Sequence, residues 1–83
     1  MTVHVKPLYA DYVLDIRHLS LEYAAKEIAQ FMIGVELGGS IEVIVSDPKE
    51  AEELVKWAET TGHHVIGSNA DSECQRIYVE RQV

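Results

Sequence analysis

The chain is predicted to adopt an α+β fold. It should form a two-layer α/β sandwich, ordered β-α-β-α-β-β, with two helices packed on one face of a four-stranded mixed sheet. Three observations predict it. Two segments, 21–33 and 48–61, place apolar residues at helical spacing. Four shorter segments are dense in β-branched and apolar residues. The last two of these flank a polar, turn-rich loop, Asn69 to Glu73, which favours an antiparallel hairpin. Helices that alternate with strands bury their apolar faces most economically on one side of the sheet.

The first eleven residues are weakly patterned. Val3 and Val5 alternate with Thr2 and His4, and Pro7 interrupts them. Residues 1–11 therefore read as an N-terminal arm or an extra short strand, since proline is confined to sheet edges. Apolar density rises from Tyr12 to Ile16, the first strand. Ser20 then stands at a helix N-cap, with Glu22 in the first turn where the helix dipole favours negative charge. Leu21, Ala24, Ala25, Ile28, Phe31, Met32 and Val35 share one face, and Lys26, Glu27 and Gln30 lie off it. Gly34 ends this helix, and Gly38-Gly39 turns the chain.

The segment SIEVIV alternates: Ile41, Val43 and Val45 face one way, Glu42 and Ile44 the other. Asp47 caps the second helix, with Pro48 at its first position and Glu50 three residues after the cap. Ala51, Leu54, Val55 and Ala58 form its inner stripe, Trp57 flanks it, and Gly62 ends it. HHVIGSNA and QRIYVERQ are the third and fourth strands.

The chain has 83 residues and reads as a single domain, 1–83, with 47% apolar and 25% charged residues. A domain this small buries roughly two thirds of the surface its unfolded chain exposes. No apolar run approaches the roughly 18 residues of a spanning helix, and the N-terminus lacks a signal-peptide pattern. The expected location is cytoplasmic, away from membranes. Fourteen acidic against seven basic side chains give a net charge of −7. That disfavours phosphate backbones, whose affinity comes from lysine and arginine, and suits a basic protein partner. The single cysteine, Cys74, excludes an internal disulfide and a cysteine-clustered zinc site. His63 and His64 are strand neighbours and point to opposite faces, so no metal site is expected. Nothing in the pattern calls for a cofactor.

The candidate site is the start of the first helix, within LDIRHLSLEYAAKEI. Backbone N–H groups are unpaired at such a start and the dipole favours anions. Ser20 as a nucleophile lacks a base and orienting acid beyond His18, so capping is its simpler role. Asp15 and Asp47 each follow a strand and can converge at one sheet end, but Asp47 already serves as a cap. Trp57 reads as a core-edge aromatic. Glu50, Glu52, Glu53 and Glu59 read as a solvated helix face that can also meet a basic partner. Cys74, at or near the start of the last strand and far in sequence from the first helix, reads as a small half-buried residue.

From Tyr12 to Arg81 the chain resembles the TusA/SirA-like (YhhP-like) family of small sulfur carriers. The resemblance rests on Asp47, Pro48, Trp57, Ala58, Thr61, Gly62 and His63, and on Leu14, Asp15, Arg17 and Leu19 before the first helix. It implies the same β-α-β-α-β-β fold and a place in sulfur trafficking, with a sulfur donor or acceptor protein as partner. In that family a Cys-Pro-x-Pro motif opens the first helix, and its cysteine carries persulfide where the helix N-terminus stabilises a thiolate. Aligned on Arg17 and Leu19, the cysteine place falls on Leu21 here, the proline places on Glu22 and Ala24, and the preceding glycine on His18. The resemblance thus implies a non-catalytic or divergent member acting by protein docking through Arg17, His18, Ser20, Leu21 and Glu22. Two alternatives stand beside it. One is a sulfurtransferase carrying persulfide on Cys74. The other is an RNA-binding module, as related two-layer folds include, for which only Lys6, Arg76 and Arg81 could cluster at a sheet edge and against which the net charge argues.

Overall fold

The structure, a computed structural model, describes residues 10–83 except the side chain of Leu21. The elements are β1 (Tyr12–Asp15), α1 (Leu21–Ile33), β2 (Ser40–Val45), α2 (Pro48–Thr61), β3 (His64–Ala70) and β4 (Gln75–Glu80). The four strands form one sheet in the order β1-β2-β4-β3. The β1–β2 pair is parallel, and β4 runs antiparallel to both β2 and β3. This is the predicted mixed sheet with two helices. The arm or strand expected over residues 1–11 lies outside the described residues up to position 9.

The topology follows from connection length. β1–α1–β2 and β2–α2–β3 both join parallel strands, which need a helix-sized crossover. Both step across the sheet in the same direction, so crossovers of the usual right-handed sense put both helices on one face. The alternation in β2 is as the sequence predicts: Ile41, Val43 and Val45 are buried, whereas Glu42 and Ile44 are half-buried. Opposite them, Val79 pairs with Ile41 and Ile77 with Val43. Ala24, Ile28, Met32 and Val35 of α1 and its exit, and Ala51, Leu54 and Ala58 of α2, close over that surface.

Boundaries shift by a residue where a backbone bond is claimed elsewhere. Ile16 leaves β1, though its N–H still reaches the Ile44 carbonyl at 3.0 Å. His63 is outside β3 because its N–H bonds to the Ala58 carbonyl at 2.9 Å and finishes α2. Gly62 sits there at φ 89°, with its own N–H on the Glu59 carbonyl at 3.2 Å. A left-handed residue between two such bonds is the Schellman ending, and glycine adopts it without a Cβ clash. A register shift between Val65 and Gly67 marks a bulge at Ile66 in the edge strand β3.

Candidate functional site

The loop from β1 to α1 is built around one short-range clamp. The Arg17 guanidinium donates to the Asp15 carboxylate, with Nη2 at 2.6 Å and Nε at 3.0 and 3.2 Å. The Arg17 backbone N–H reaches the same carboxylate at 3.1 Å. These bonds hold Asp15 at a pKa of about 2, the Arg17 side chain contributing most and the backbone N–H next. The Leu19 N–H closes a turn onto the Ile16 carbonyl at 3.1 Å, and Ser46 Oγ donates to the Arg17 carbonyl at 3.2 Å. The loop is thereby tied to the end of β2.

Of the predicted site residues, Arg17, His18, Ser20 and Glu22 are exposed, and Leu21 is the first residue of α1. They are gathered at one helix start by continuity of the chain. Ser20 departs from expectation. It has the extended conformation of an N-cap, but its hydroxyl makes no capping bond, and only its carbonyl engages the helix, accepting from Ala24 at 2.8 Å. Asp47 does cap: its Oδ1 accepts from the Glu50 N–H at 2.9 Å. Asp15 and Asp47 are therefore occupied separately, one by Arg17 and one by α2.

Cys74 is buried, at 3% exposure, and not half-buried. The turn before β4 explains this. Asp71 Oδ1 accepts from the N–H groups of Glu73 (2.8 Å) and Cys74 (2.9 Å), and its Oδ2 accepts from Arg76 Nη1 (2.7 Å). This network folds the turn over the thiol and holds the Asp71 carboxyl far below the usual carboxylate range, Arg76 contributing most. Distance in sequence misled about distance in space. β4 is antiparallel to β2, so Gln75 pairs with Val45 and Cys74 lies at the sheet end where α1 begins. In its thiolate form Cys74 would add a minor electrostatic contribution favouring the charged Arg17 and Arg76 guanidinium groups.

Sequence reasoning missed the surface between the helices. A cavity of about 150 Å³ opens there, lined by Ile16, Ala24, Ile28, Leu54, Trp57 and the carboxylate-bearing Glu50, among others. Glu50 and Glu53 are half-buried, not fully solvated, whereas Glu52 and Glu59 are exposed as expected. Burial pushes the Glu50 carboxyl above its ordinary value, and the Asp47 charge adds to this. The available signal was spacing: Glu50 precedes Leu54 by four residues and so shares its face. Of the three residues of the RNA-binding alternative, Lys6 lies outside the described residues, and Arg76, near the start of β4, and Arg81, just past its end, are held apart by the length of the strand. Among the described residues, no group of three or more His, Cys, Asp or Glu side chains is placed to hold a metal, and no helix is long and apolar enough to cross a membrane.

No family model matches the chain. Over 72 residues, 87% of its length, it is 26% identical to "Putative sulfur carrier protein YrkF" of Bacillus subtilis (strain 168). The chain spans 39% of the length of that relative.

Proposed function

We propose that this protein works in sulfur trafficking in the cytoplasm by docking to a sulfur donor or acceptor protein, without itself carrying sulfur. The similarity to a sulfur carrier over most of the chain supports the setting. One observation carries the division of labour. Arg17, His18, Ser20 and Glu22 stand exposed at the start of α1, while the chain's single thiol is buried under a separate turn. Position 21, where carriers of the TusA/SirA-like family have their cysteine, is leucine. Glu22 in the same turn opposes a thiolate or persulfide electrostatically.

The test is binding to a cysteine desulfurase or a rhodanese-like protein, measured for the native chain and for Leu21→Arg. Leu21→Arg is expected to weaken the complex while leaving the thermal transition in place. Unchanged binding by a folded variant contradicts the reading.

A second reading is favoured by the position of Cys74 at the sheet end where α1 begins, within electrostatic range of the Arg17 and Arg76 charges once ionised. In it, the Cys74 thiolate attacks the terminal sulfur of a donor persulfide, a new S–S bond forms, the old one breaks, and the donor leaves as thiolate. The Asp71–Cys74 turn has to open first. Incubation with a persulfide donor followed by intact-mass measurement decides it. A reductant-sensitive mass gain, lost in Cys74→Ser, supports it, and absence of the gain removes it.

A further inference from the structure

The groove between α1 and α2 combines an apolar floor with an acidic border. Ile16, Ala24, Ile28 and Leu54 are the floor, Trp57 is a wall, and Glu50 and Glu53 stand at the edge. The cavity of about 150 Å³ accommodates a four-carbon stem with a small polar head. The surroundings carry the same sign of charge. Within α1 and α2, Glu22, Glu27, Glu50, Glu52, Glu53 and Glu59 outnumber Lys26, Lys49 and Lys56 by six to three.

The border carboxylates keep capacity for a cation. Glu50 has hydrogen bonds with the Ser46 backbone and the Asp47 side chain, but among the described residues no salt bridge to a cation. Lys56 stands 3.9 Å from both Glu52 and Glu53 with its side chain 64% exposed, a loose and divided contact. A half-buried carboxylate that lacks a cation is costly, and an incoming cation relieves that cost. Burial and the neighbouring Asp47 both raise the Glu50 pKa, and a Ser46 backbone bond opposes them.

We infer that this groove is a docking site for a basic segment of a protein partner, one of whose lysine side chains lies with its stem against Ile28, Leu54 and Trp57 and its ammonium group between Glu50 and Glu53. The inference rests on the docking reading for the class of occupant, but none of the groove's lining residues falls within 17–22. Charge complementarity and the depth of the apolar floor select the occupant together. A carboxylate-bearing side chain meets like charge at the edge, and a purely apolar one covers Glu50 and Glu53 without supplying a cation.

The probe is the acetylated, amidated pentapeptide Gly-Gly-Lys-Gly-Gly, titrated at constant ionic strength into isotope-labelled protein and followed by NMR. Two relatives of the probe separate the contributions: norleucine at the centre keeps the stem without charge, and diaminopropionic acid keeps charge without the stem. Shifts centred on the Trp57 indole N–H and the methyl groups of Ile28 and Leu54, larger for the lysine peptide than for either relative, support the site. Glu50→Gln combined with Glu53→Gln should weaken the lysine peptide about tenfold, two charge contacts being lost. Ala25→Leu, which fills the groove without changing charge, should block the peptide, and the amide spectrum of the sheet reports whether either variant stays folded. Equal shifts with norleucine, shifts centred elsewhere, or tighter binding of spermidine than of the lysine peptide overturn the inference. Loss of desulfurase binding in Leu21→Arg with the lysine peptide still bound separates the two surfaces. Failure of the lysine peptide to bind the native chain, with desulfurase binding still lost in Leu21→Arg, overturns the groove and leaves residues 17–22 standing.

Discussion

Arg81 Nη1 donates to the Ile33 carbonyl at 3.1 Å, joining the exit of β4 to the last residue of α1. It also bonds to the Val35 carbonyl, while Arg81 Nε donates to the Val83 carbonyl at 2.9 Å. α1 has no basic residue in its last turn. A cation 48 positions away in sequence therefore satisfies carbonyls that a helix end leaves unpaired and complements its negative pole. Arg81→Ala is expected to lower stability by about 1–2 kcal/mol. The urea midpoint checks this at unchanged slope, and an unmoved midpoint would show that the bonds contribute nothing.

The two helix starts should respond differently to the same chemical change. Asp47→Ala removes a capping bond and is expected to cost about 1 kcal/mol. Ser20→Ala removes a hydroxyl that makes no such bond, so its cost should stay below about 0.3 kcal/mol. Thermal or urea unfolding of both variants measures the contrast. Equal losses would mean that Ser20 caps in solution.

Asp15 should titrate at about 2 because of Arg17. In the unfolded chain its carboxyl binds a proton near 3.8, before the folded one does. The contribution of the clamp is therefore complete above that pH and is lost as pH falls toward 2. Both side chains are more than 40% exposed, so solvent screening keeps the contribution small. Carbon-detected NMR of the Asp15 carboxyl gives the midpoint. A midpoint at the ordinary value contradicts the clamp, and Asp15→Asn should free the Arg17 side chain.

His63 has its pKa lowered, first by burial and then by the Arg81 charge. The unfolded chain thus takes up the proton first as pH falls below about 6.5. Stability should decline from that pH down to the folded-state pKa and then level off, as far as this group is concerned. The Nδ1 atom also accepts from the Gln82 N–H at 3.3 Å, a bond that protonation abolishes. Denaturation between pH 7.5 and 5.5 should show a smaller decline for His63→Gln than for the native chain. Identical slopes would remove His63 as the cause.

Most of the fold is legible in local pattern. The stripe through Ala24, Ile28 and Met32, the Asp47-Pro48 start of α2 and the Gly62 ending all act within a few residues, so the sequence displays them directly. Relations set by strand pairing are not displayed in that way. The nearness of Cys74 to Arg17 depends on β4 lying antiparallel beside β2, and the closure of α1 by Arg81 depends on where β4 ends. Glu50 sits between these cases. Its spacing from Leu54 was visible, but its burial requires α1 to pack alongside. Ser20 shows the limit of residue type as evidence, since the right residue stands at the right place without making the bond.

The strand order also governs when this molecule can fold. β4 is the last strand in the chain, yet it lies inside the sheet between β2 and β3. Until residues 75–80 have left the ribosome, β2 and β3 have no hydrogen-bonding neighbour in common, and the inner row of Ile41 and Val43 has no Val79 or Ile77 to meet. A nascent chain can form its helices early, but it completes its sheet only after translation of this segment. Truncation ahead of residue 75 exposes two strand edges at once, the condition under which chains pair with one another instead.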